Sequence, residues 1–207
     1  LKSKKIKVTK DNQEIINRSD WIFLAVTPDV GNVILKKLKF SKNKLIISFI
    51  STININKLKK ITGLKTNIVR AIPLPPIALC KGPVPIYPSN KKVKNFFDKL
   101  GSTVEINNEK LSLNFWTTSA MMAPFYELLL SLSNWLVKKG IKEDSAQKYI
   151  TSLFFALSED AFNHKKNLKK LVKDSQTPGG LNEQAVKDLR KVGFYNLLEK
   201  TSNKIIK

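Results

Sequence analysis

The sequence has very few of the residues from which catalytic triads and metal centres are built. Its 207 residues include one cysteine, Cys80, and one histidine, His164. A single cysteine excludes an intramolecular disulfide framework and a cysteine-based metal cluster. A histidine-rich site is excluded as well, and no carboxylate spacing is typical of a metal site. We therefore expect no bound metal. We interpret Cys80 as a small buried apolar residue and His164 as a solvated cation at a helix end.

Long apolar runs are also missing. A membrane-spanning helix needs about 18 or more consecutive apolar residues. The most apolar stretch, 115–136, is interrupted by Thr117, Pro124 and Glu127. The first residues lack the pattern of a secretory signal. We expect a cytoplasmic protein with no membrane partner.

Negative charge is scarce, because 16 Asp and Glu residues stand against 37 Lys and Arg residues, a net charge of +21. Such an excess can indicate a nucleic-acid binder with a steep salt dependence. However, only three of these cations are arginine, the residue that best recognises phosphates and guanine edges, and the lysines are spread over the chain in short groups. We interpret the charge as a solvated surface that can attract an anionic ligand, and we expect no nucleic-acid partner.

The first half of the sequence alternates between strand and helix patterns. Residues 20–26 are apolar without alternation, which is typical of a parallel strand buried on both faces, and Asp29 can cap the helix that follows. Strands alternating with helices predict a parallel sheet with right-handed crossovers. The predicted strands lie at 6–8, 20–26, 44–50, 66–72, 84–87 and 103–106, with helices at 11–17, 55–62 and 91–100.

After about residue 107 no strand pattern returns. Helices are predicted near 110–139, 143–163 and 168–173, and a shorter pair follows from Asn182. Gly140 and Gly193 stand where helix C-caps belong. We therefore predict an α/β domain over residues 1–106 and an all-helical domain over residues 107–207.

A dinucleotide-binding α/β domain usually opens with a strand, a Gly-rich turn and a helix. The sequence contains no Gly-x-Gly-x-x-Gly, and its first glycine, Gly31, lies within a helix pattern. Either the domain is not a dinucleotide fold, or the first unit lies upstream of Leu1. The missing initiator Met and the otherwise complete alternation favour the second interpretation, with a missing piece of about 30 residues or more.

Four segments carry the residue types of a binding site. The strand ends 23–28 and 70–76 both lead into proline loops, and ligands of open parallel sheets bind beyond the carboxyl ends of strands. Segment 117–124 leads into a helix whose first-turn N–H groups would face an anion. In segment 176–184 a Pro-Gly-Gly turn lets the backbone approach a ligand closely. Each also has a structural interpretation: a crossover loop, methionines filling a core, or a helix connection with Asn182 as N-cap.

Taken in order, these segments resemble the pyrroline-5-carboxylate reductase family over essentially the whole chain. Phe23 to Pro28, Phe-Leu-Ala-Val-Thr-Pro, is similar to the family's Phe-Leu-Ala-Val-Lys-Pro strand end. Arg70 to Pro76 is similar to its Arg-x-Met-Pro-Asn-Thr-Pro segment. Thr177 to Gly180, followed by Gly193 and Phe194, is similar to its Ser-Pro-Gly-Gly turn and later Gly-Gly-Phe. The resemblance implies a partial Rossmann-type domain, with its first βα unit missing, followed by an all-α dimerisation domain.

The resemblance also implies hydride transfer from NAD or NADP to a cyclic imine acid, giving proline, in a homodimer or higher homo-oligomer. The nicotinamide would lie over the strand ends, and backbone N–H groups of the helical domain would hold the substrate carboxylate. The implied cofactor-binding residues are Ala25, Val26, Thr27, Pro28, Pro73, Leu74 and Pro75. The implied substrate-binding residues are Met122, Ala123, Pro124, Pro178, Gly179 and Gly180. Asn182 or Thr177 is expected to contact the ring nitrogen as the catalytic group.

The substrate motifs depart from the family's pattern. Met121 to Phe125 replaces Gly-Ser-Gly-Pro-Ala, and Leu181-Asn182 replaces a Thr pair. On the cofactor side, Leu74-Pro75 replaces Asn-Thr, and Thr27 replaces Lys. Two alternatives therefore stay open: a related NAD(P)-dependent reductase of another imine or keto acid, and a non-catalytic dimerisation scaffold. The residue that selects NAD or NADP would follow a strand upstream of Leu1.

Overall fold

The computed structural model describes residues 6–63, 67–164 and 167–206, and by compactness the chain divides into the units Leu1–Phe115 and Trp116–Lys207. The first unit contains a sheet with the strand order β1-β2-β3-β4-β5. Its strands are β1 (Trp21–Leu24), β2 (Leu45–Ser48), β3 (Asn67–Ala71), β4 (Pro83–Tyr87) and β5 (Ser102–Glu105). Its helices are α1 (Asn12–Arg18), α2 (Pro28–Ile34), α3 (Ile55–Thr62) and α4 (Lys91–Phe97).

The rest of the chain is helical, as predicted. Helix α5 (Ser112–Ser119) crosses the boundary between the units. It is followed by α6 (Met122–Lys138), α7 (Glu143–Asn163), α8 (Leu168–Asp174), α9 (Leu181–Lys191) and α10 (Phe194–Ile205). The order of an α/β domain followed by an all-helical domain is confirmed.

The sheet is parallel in its first three strands and reverses at the fourth. β1, β2 and β3 run parallel, β4 is antiparallel to β3, and β5 is parallel to β4. The prediction of a fully parallel sheet is therefore wrong at β4. A parallel crossover needs about a dozen residues or more, usually a helix. The connection from Ile72 to Gly82 contains only a 3₁₀ turn, Pro75–Leu79, so the chain turns back instead of crossing over.

Apolar side chains pack on both faces of the sheet. On one face the core includes Ile46 of β2 and Leu58 of α3, and on the other it includes Ile47, Val84 and Phe97. All four residues of β2 are buried. The prediction that the strand at 20–26 is buried on both faces is wrong, because β1 is the edge strand of the described sheet and Phe23 is 39% exposed. Three helices of this unit start where a polar side chain caps a backbone N–H. The capping residues are Asp11 for α1, Asn54 for α3 and Asn90 for α4.

Three local predictions in the first unit are wrong. Ile6 and Val8 are exposed and belong to no strand, because alternation forms a strand only where another strand pairs with it; Leu1 to Lys5 lie outside the described residues. The N-cap of α2 is Thr27, and Asp29 lies in the first turn. Cys80 is exposed rather than buried, since it ends the 3₁₀ turn in a left-handed conformation, at φ 54°, where the chain reverses at the surface.

A proline divides the helix that the pattern predicts over 110–139. Pro124 lacks an N–H, and its ring collides with the carbonyl four residues earlier in a continuing helix, which is that of Ala120. α5 therefore ends in two backbone hydrogen bonds between residues three positions apart, from Ala120 N to Thr117 O at 3.1 Å and from Met121 N to Thr118 O at 3.0 Å. α6 then begins at Met122 with Pro124 in its first turn, as predicted. Over the described ranges, no helix is both long and apolar enough to cross a membrane.

The buried position of Leu58 allows a direct test of the core. Leu58→Ala should lower the free energy of unfolding by about 2–5 kcal/mol, because it leaves a cavity under α3. Leu79→Ala removes the same atoms from a side chain that is 77% exposed, and we expect a change within about 0.5 kcal/mol. Urea denaturation measures both. Equal losses for the two variants would contradict the described packing.

Candidate functional site

The three parallel strands bring their carboxyl ends to one edge of the sheet. Leu24 pairs with Ser48, and Ser48 pairs with Arg70. The ladder continues beyond the strands, because Phe49 N donates to Leu24 O at 3.0 Å. The loops after β1 and β3 flank the loop after β2, so they lie two strand spacings apart, roughly 10 Å. The two sets of expected cofactor-binding residues therefore share this edge, which we call the strand-end edge (25–28, 49–51 and 72–75).

The loop after β1 presents exposed side chains. Ala25, Val26 and Thr27 are exposed, and Pro28 is half-buried. The Thr27 carbonyl accepts a bond from Gly31 N at 2.8 Å, while its side chain caps no helix N–H. A Cβ on Gly31 would lie 2.9 Å from Ile50 Cδ1. The missing side chain thus lets α2 begin close to the end of β2.

The loop after β3 is stiff. Pro73, Leu74 and Pro75 follow β3 after one intervening residue, Ile72, and the two prolines fix φ. The Leu74 carbonyl accepts a bond from Ile77 N at 3.0 Å, which starts the 3₁₀ turn. Pro73 and Leu74 are half-buried and Pro75 is exposed. This loop offers a fixed, largely apolar surface at the strand-end edge.

A buried ion pair lies beside this edge. Arg70 Nη1 donates to Glu109 Oε1 at 2.6 Å, and Arg70 Nη2 donates to the Ser51 carbonyl at 2.5 Å. The same Glu109 oxygen accepts a bond from Ile55 N at 2.8 Å. The side chains of Arg70 and Glu109 are 5% and 20% exposed. Sequence reasoning missed this pair. A cation inside an apolar strand pattern was the available signal, but its partner lies 39 residues away.

The expected residues of the helical unit lie at two helix starts. Met122, Ala123 and Pro124 form the first turn of α6, whose N-cap, Met121, makes no side-chain cap bond. Met122 is half-buried, and Ala123 and Pro124 are exposed. Pro124 has no N–H, so Met122 and Ala123 supply the backbone donors of this turn.

The Pro-Gly-Gly turn before α9 is closed by its own hydrogen bonds. Gly180 N donates to Thr177 O at 2.8 Å, and Gly179 N donates to Glu183 Oε2 at 2.8 Å. Asn182 Nδ2 donates to the Ser175 carbonyl at 3.0 Å. Asn182 lies in the first turn of α9, and the N-cap is Gly180, so the interpretation of Asn182 as N-cap is wrong. An anion that took the Gly179 N–H would have to displace Glu183.

The carboxylate of Glu183 therefore takes the place that an anionic ligand would have at this turn. The bond from the Gly179 N–H, followed by the hydrogen bond from Lys187, lowers the pKa of the Glu183 carboxyl below its ordinary value of 4.5. Lys187 Nζ lies 3.1 Å from Glu183 Oε1. Both contacts favour the charged form.

The remaining chemistry-bearing residues do not belong to these segments. His164 follows the last turn of α7, with its Nδ1 4.0 Å from Asp160 Oδ1, and it is exposed. Within the ranges that the structure describes, no three His, Cys, Asp or Glu side chains gather as a metal site would require. A cavity of about 430 Å³ lies among α8, α9 and α10, and sequence reasoning did not find it; its lining includes Val186, Arg190 and Tyr195.

Comparisons with known proteins cover both parts of the chain. Residues 110–207 match the family model "Pyrroline-5-carboxylate reductase dimerisation", and residues 1–52 match "NADP oxidoreductase coenzyme F420-dependent". A pyrroline-5-carboxylate reductase of Synechocystis is 26% identical over 210 residues, covering 95% of this chain and 76% of the relative. Residues 110–207 therefore form the dimerisation domain of the pyrroline-5-carboxylate reductases, and the chain as a whole is similar to these proteins.

Solved structures of this family share the fold. The pyrroline-5-carboxylate reductase of Streptococcus pyogenes superposes with a TM-score of 0.83 at 20% identity, covering 99% of this chain and 81% of that one. The Plasmodium falciparum pyrroline carboxylate reductase, a structure with NADP bound, superposes with a TM-score of 0.81 at 23% identity, covering 96% and 79%. The Rossmann-type domain followed by a helical domain is therefore the family's arrangement.

The Glu183 contacts predict a pH dependence of stability. Since the folded-state pKa is lowered, the carboxylate stabilises the fold above about pH 4.5. This contribution disappears as pH falls through the lowered pKa. Glu183→Gln should thus melt at a lower temperature than the parent protein near neutral pH, and the two melting temperatures should converge in acid.

Thermal melts between neutral and acid pH measure this difference. The same substitution at Glu199, an exposed carboxylate of α10, provides the control and should change little at any pH. A difference between Glu183→Gln and the parent that stays constant into acid would contradict the role of the Glu183 charge.

Proposed function

We propose that this protein reduces pyrroline-5-carboxylate to proline with NADPH or NADH. The observation that supports it most is the strand-end edge, where the family-like segments Phe23 to Pro28 and Arg70 to Pro76 follow parallel strands of one sheet. We assign cofactor binding to residues 1–106 and dimerisation and substrate binding to residues 107–207. The match of the helical half to the dimerisation model supports this division.

The strand-end edge fits the nicotinamide end of a dinucleotide. Ala25, Val26 and the proline loop at Pro73 offer apolar surface to a flat ring. The Thr27 hydroxyl, which caps no helix N–H, offers a polar partner for the carboxamide. When bound, the cofactor supplies the hydride.

The protein residues orient the imine and hold its charges. The backbone N–H groups of Met122 and Ala123 bind the substrate carboxylate at the start of α6, where the helix dipole favours an anion. The imine nitrogen takes a proton from solvent, which makes the adjacent carbon electrophilic. Asn182 already donates its amide N–H to Ser175, so its Oδ1 accepts the bond from the protonated nitrogen, with Thr177 as the other candidate. Hydride addition to the carbon then gives the secondary amine of proline.

The departures at the substrate turns favour a second candidate, a reductase of another imine or keto acid. Met121 and Met122 are half-buried and bring bulk to the turn where the family has glycines and a hydroxyl. Asn182 presents an amide where the family has a hydroxyl. Both changes act on the substrate and leave the strand-end edge unaltered, so cofactor use would be kept and the acid would differ.

An assay of the protein at its full natural length tests the proposal. Oxidation of NADPH and NADH, followed by absorbance, should saturate with pyrroline-5-carboxylate. Asn182→Ala should lower kcat/KM about ten- to hundredfold, because a hydrogen bond to a charged group is worth about 1.5–3 kcal/mol. Asn203→Ala, at an exposed position of α10, is the matched control and should keep full activity.

Each outcome of this assay has a consequence. Unchanged turnover in Asn182→Ala would refute its role and leave Thr177. Oxidation with another imine or keto acid, but not with pyrroline-5-carboxylate, would establish the second candidate. A protein that binds neither NADPH nor NADH would be a dimerisation scaffold instead.

We also infer that the protein acts as a homodimer, with a partner copy covering the helical unit. Of the residues described in α5 to α10, the buried apolar ones are Ala146 and Ile150. Large apolar side chains of the same helices are exposed, among them Trp135, Phe155, Leu157, Phe162 and Leu197. Exposed apolar surface on this scale is typical of an interface rather than of a monomer, and closed twofold pairing is its commonest form.

We place the protein in the cytoplasm, where the exposed thiol of Cys80 stays reduced.

Light scattering after size exclusion tests the homodimer. The parent protein should elute with twice the mass of the chain. Phe162→Glu places a charge on a side chain that is 75% exposed, and we expect it to shift the protein towards the monomer. Thr151→Glu, at an exposed polar position of α7, should not. A monomeric parent at micromolar concentration would contradict the inference.

A further inference from the structure

We propose that Arg70 and Glu109 form a positioning pair. The pair fixes the spacing of the loops at the strand-end edge and thereby the position in which the nicotinamide binds. The inference rests on the proposed function, because the strand-end edge matters for the reaction only if the cofactor binds there. Neither side chain is proposed to touch the reacting atoms. Both would act through the loops that they hold.

Glu109 lies outside the sheet and connects two elements of the first unit, α3 and β3. It opens the 3₁₀ turn Glu109–Leu111, and one of its oxygens accepts bonds from Arg70 Nη1 at 2.6 Å and from Ile55 N at 2.8 Å. Ile55 is the first residue of α3. The carboxylate thus ties the start of α3 to the end of β3.

Arg70 extends the tie to the neighbouring strand. Its other terminal nitrogen, Nη2, donates to the Ser51 carbonyl at 2.5 Å, and Ser51 belongs to the loop after β2. Arg70 is itself two residues before the start of the loop Ile72–Pro75 at the carboxyl end of β3. One guanidinium therefore spans the loop after β2 and the strand that carries the proline loop.

The form of the pair favours positioning over bulk stability. A buried ion pair adds little stability compared with apolar residues of equal volume, but the planar fork of arginine holds two acceptors in fixed directions. Two other ion pairs of this unit, Arg18–Glu14 and Lys94–Asp98, are exposed and join residues four positions apart in, or at the end of, one helix. The Arg70–Glu109 pair, in contrast, joins separate elements.

The expected consequence lies in the reaction geometry. Hydride transfer needs the ring and the imine carbon near 3–3.5 Å, and a misplacement of about 1 Å can cost about a hundredfold in rate. Release of Ser51 and Ile55 would let the loops after β2 and β3 shift against each other. Cofactor affinity and kcat should then fall, while the KM for the imine acid, which is bound by the helical unit, should stay constant.

The test uses the full-length protein with three variants and one control. Glu109→Gln keeps an oxygen acceptor but removes the charge, and Arg70→Lys keeps the charge but loses the fork. Each should lower kcat/KM for NADPH by about tenfold or more. The kcat/KM of the double variant should be no lower than that of the less active single variant, because both side chains act through the same ion pair. Glu14→Gln removes a carboxylate from an exposed pair on α1 and should retain parental kinetics.

Three results would overturn the inference. The first is a lowered melting temperature with parental kcat and KM in the folded protein, which a merely structural pair would give. The second is additive losses in the double variant. The third is a raised KM for the imine acid with normal NADPH kinetics. If Glu109→Gln does not fold, the same kinetic constants are compared between the parent and Glu109→Asp, whose shorter side chain keeps the charge.

Direct NADPH binding separates this inference from the proposed function. If the parent binds NADPH but does not reduce pyrroline-5-carboxylate, the proposed function fails and the pair is judged on the NADPH dissociation constant. Glu109→Gln should raise that dissociation constant about tenfold, because the loops at the strand-end edge would no longer hold their contacts with the nicotinamide in place. Glu14→Gln should leave the constant unchanged. A parent that binds neither NADPH nor NADH would overturn both.

Discussion

Parallel pairing of β1, β2 and β3 in register determines where the candidate residues of the first unit lie. Because Leu24, Ser48 and Arg70 stand side by side, the loops that follow them emerge at one edge of the sheet. The central strand of the three, β2, is apolar and buried throughout, which is typical of a parallel strand covered on both faces. The reversal at β4 ends this arrangement, so the proline loop after β3 is the last of the three loops at that edge.

Much of the fold follows from local patterns. The sequence pattern predicts the strands at 21–24, 45–48 and 67–71, the helix Ile55–Thr62 and the all-helical second half, since all of these follow from the spacing of apolar residues. The direction of β4 does not follow from it, because it depends on the length of a connection rather than on the strand itself. The exposure of Cys80 was missed for the same kind of reason, since its left-handed conformation arises from the turn that it ends.

The site is only partly readable from the sequence. Motif order indicates the strand-end loops and the Pro-Gly-Gly turn, since prolines and glycines mark their own backbone geometry. The contacts that hold these loops are long-range or depend on side-chain direction. Arg70 and Glu109 meet across 39 residues, and Glu183 turns back to take the Gly179 N–H. No spacing rule encodes such contacts, and they alter which donors a substrate carboxylate can use.

The central claim is that the nicotinamide binds at the strand-end edge. Hydrogen–deuterium exchange of the full-length protein with and without NADPH tests it most directly, because backbone amides report the contact without assuming a substrate. On NADPH binding we expect slower exchange at the amides of residues 25–27, 49–51, 72 and 74, since the prolines of these loops have no N–H, with little change in β4 and β5. Protection that leaves these three loops unchanged while NADPH is bound would contradict it.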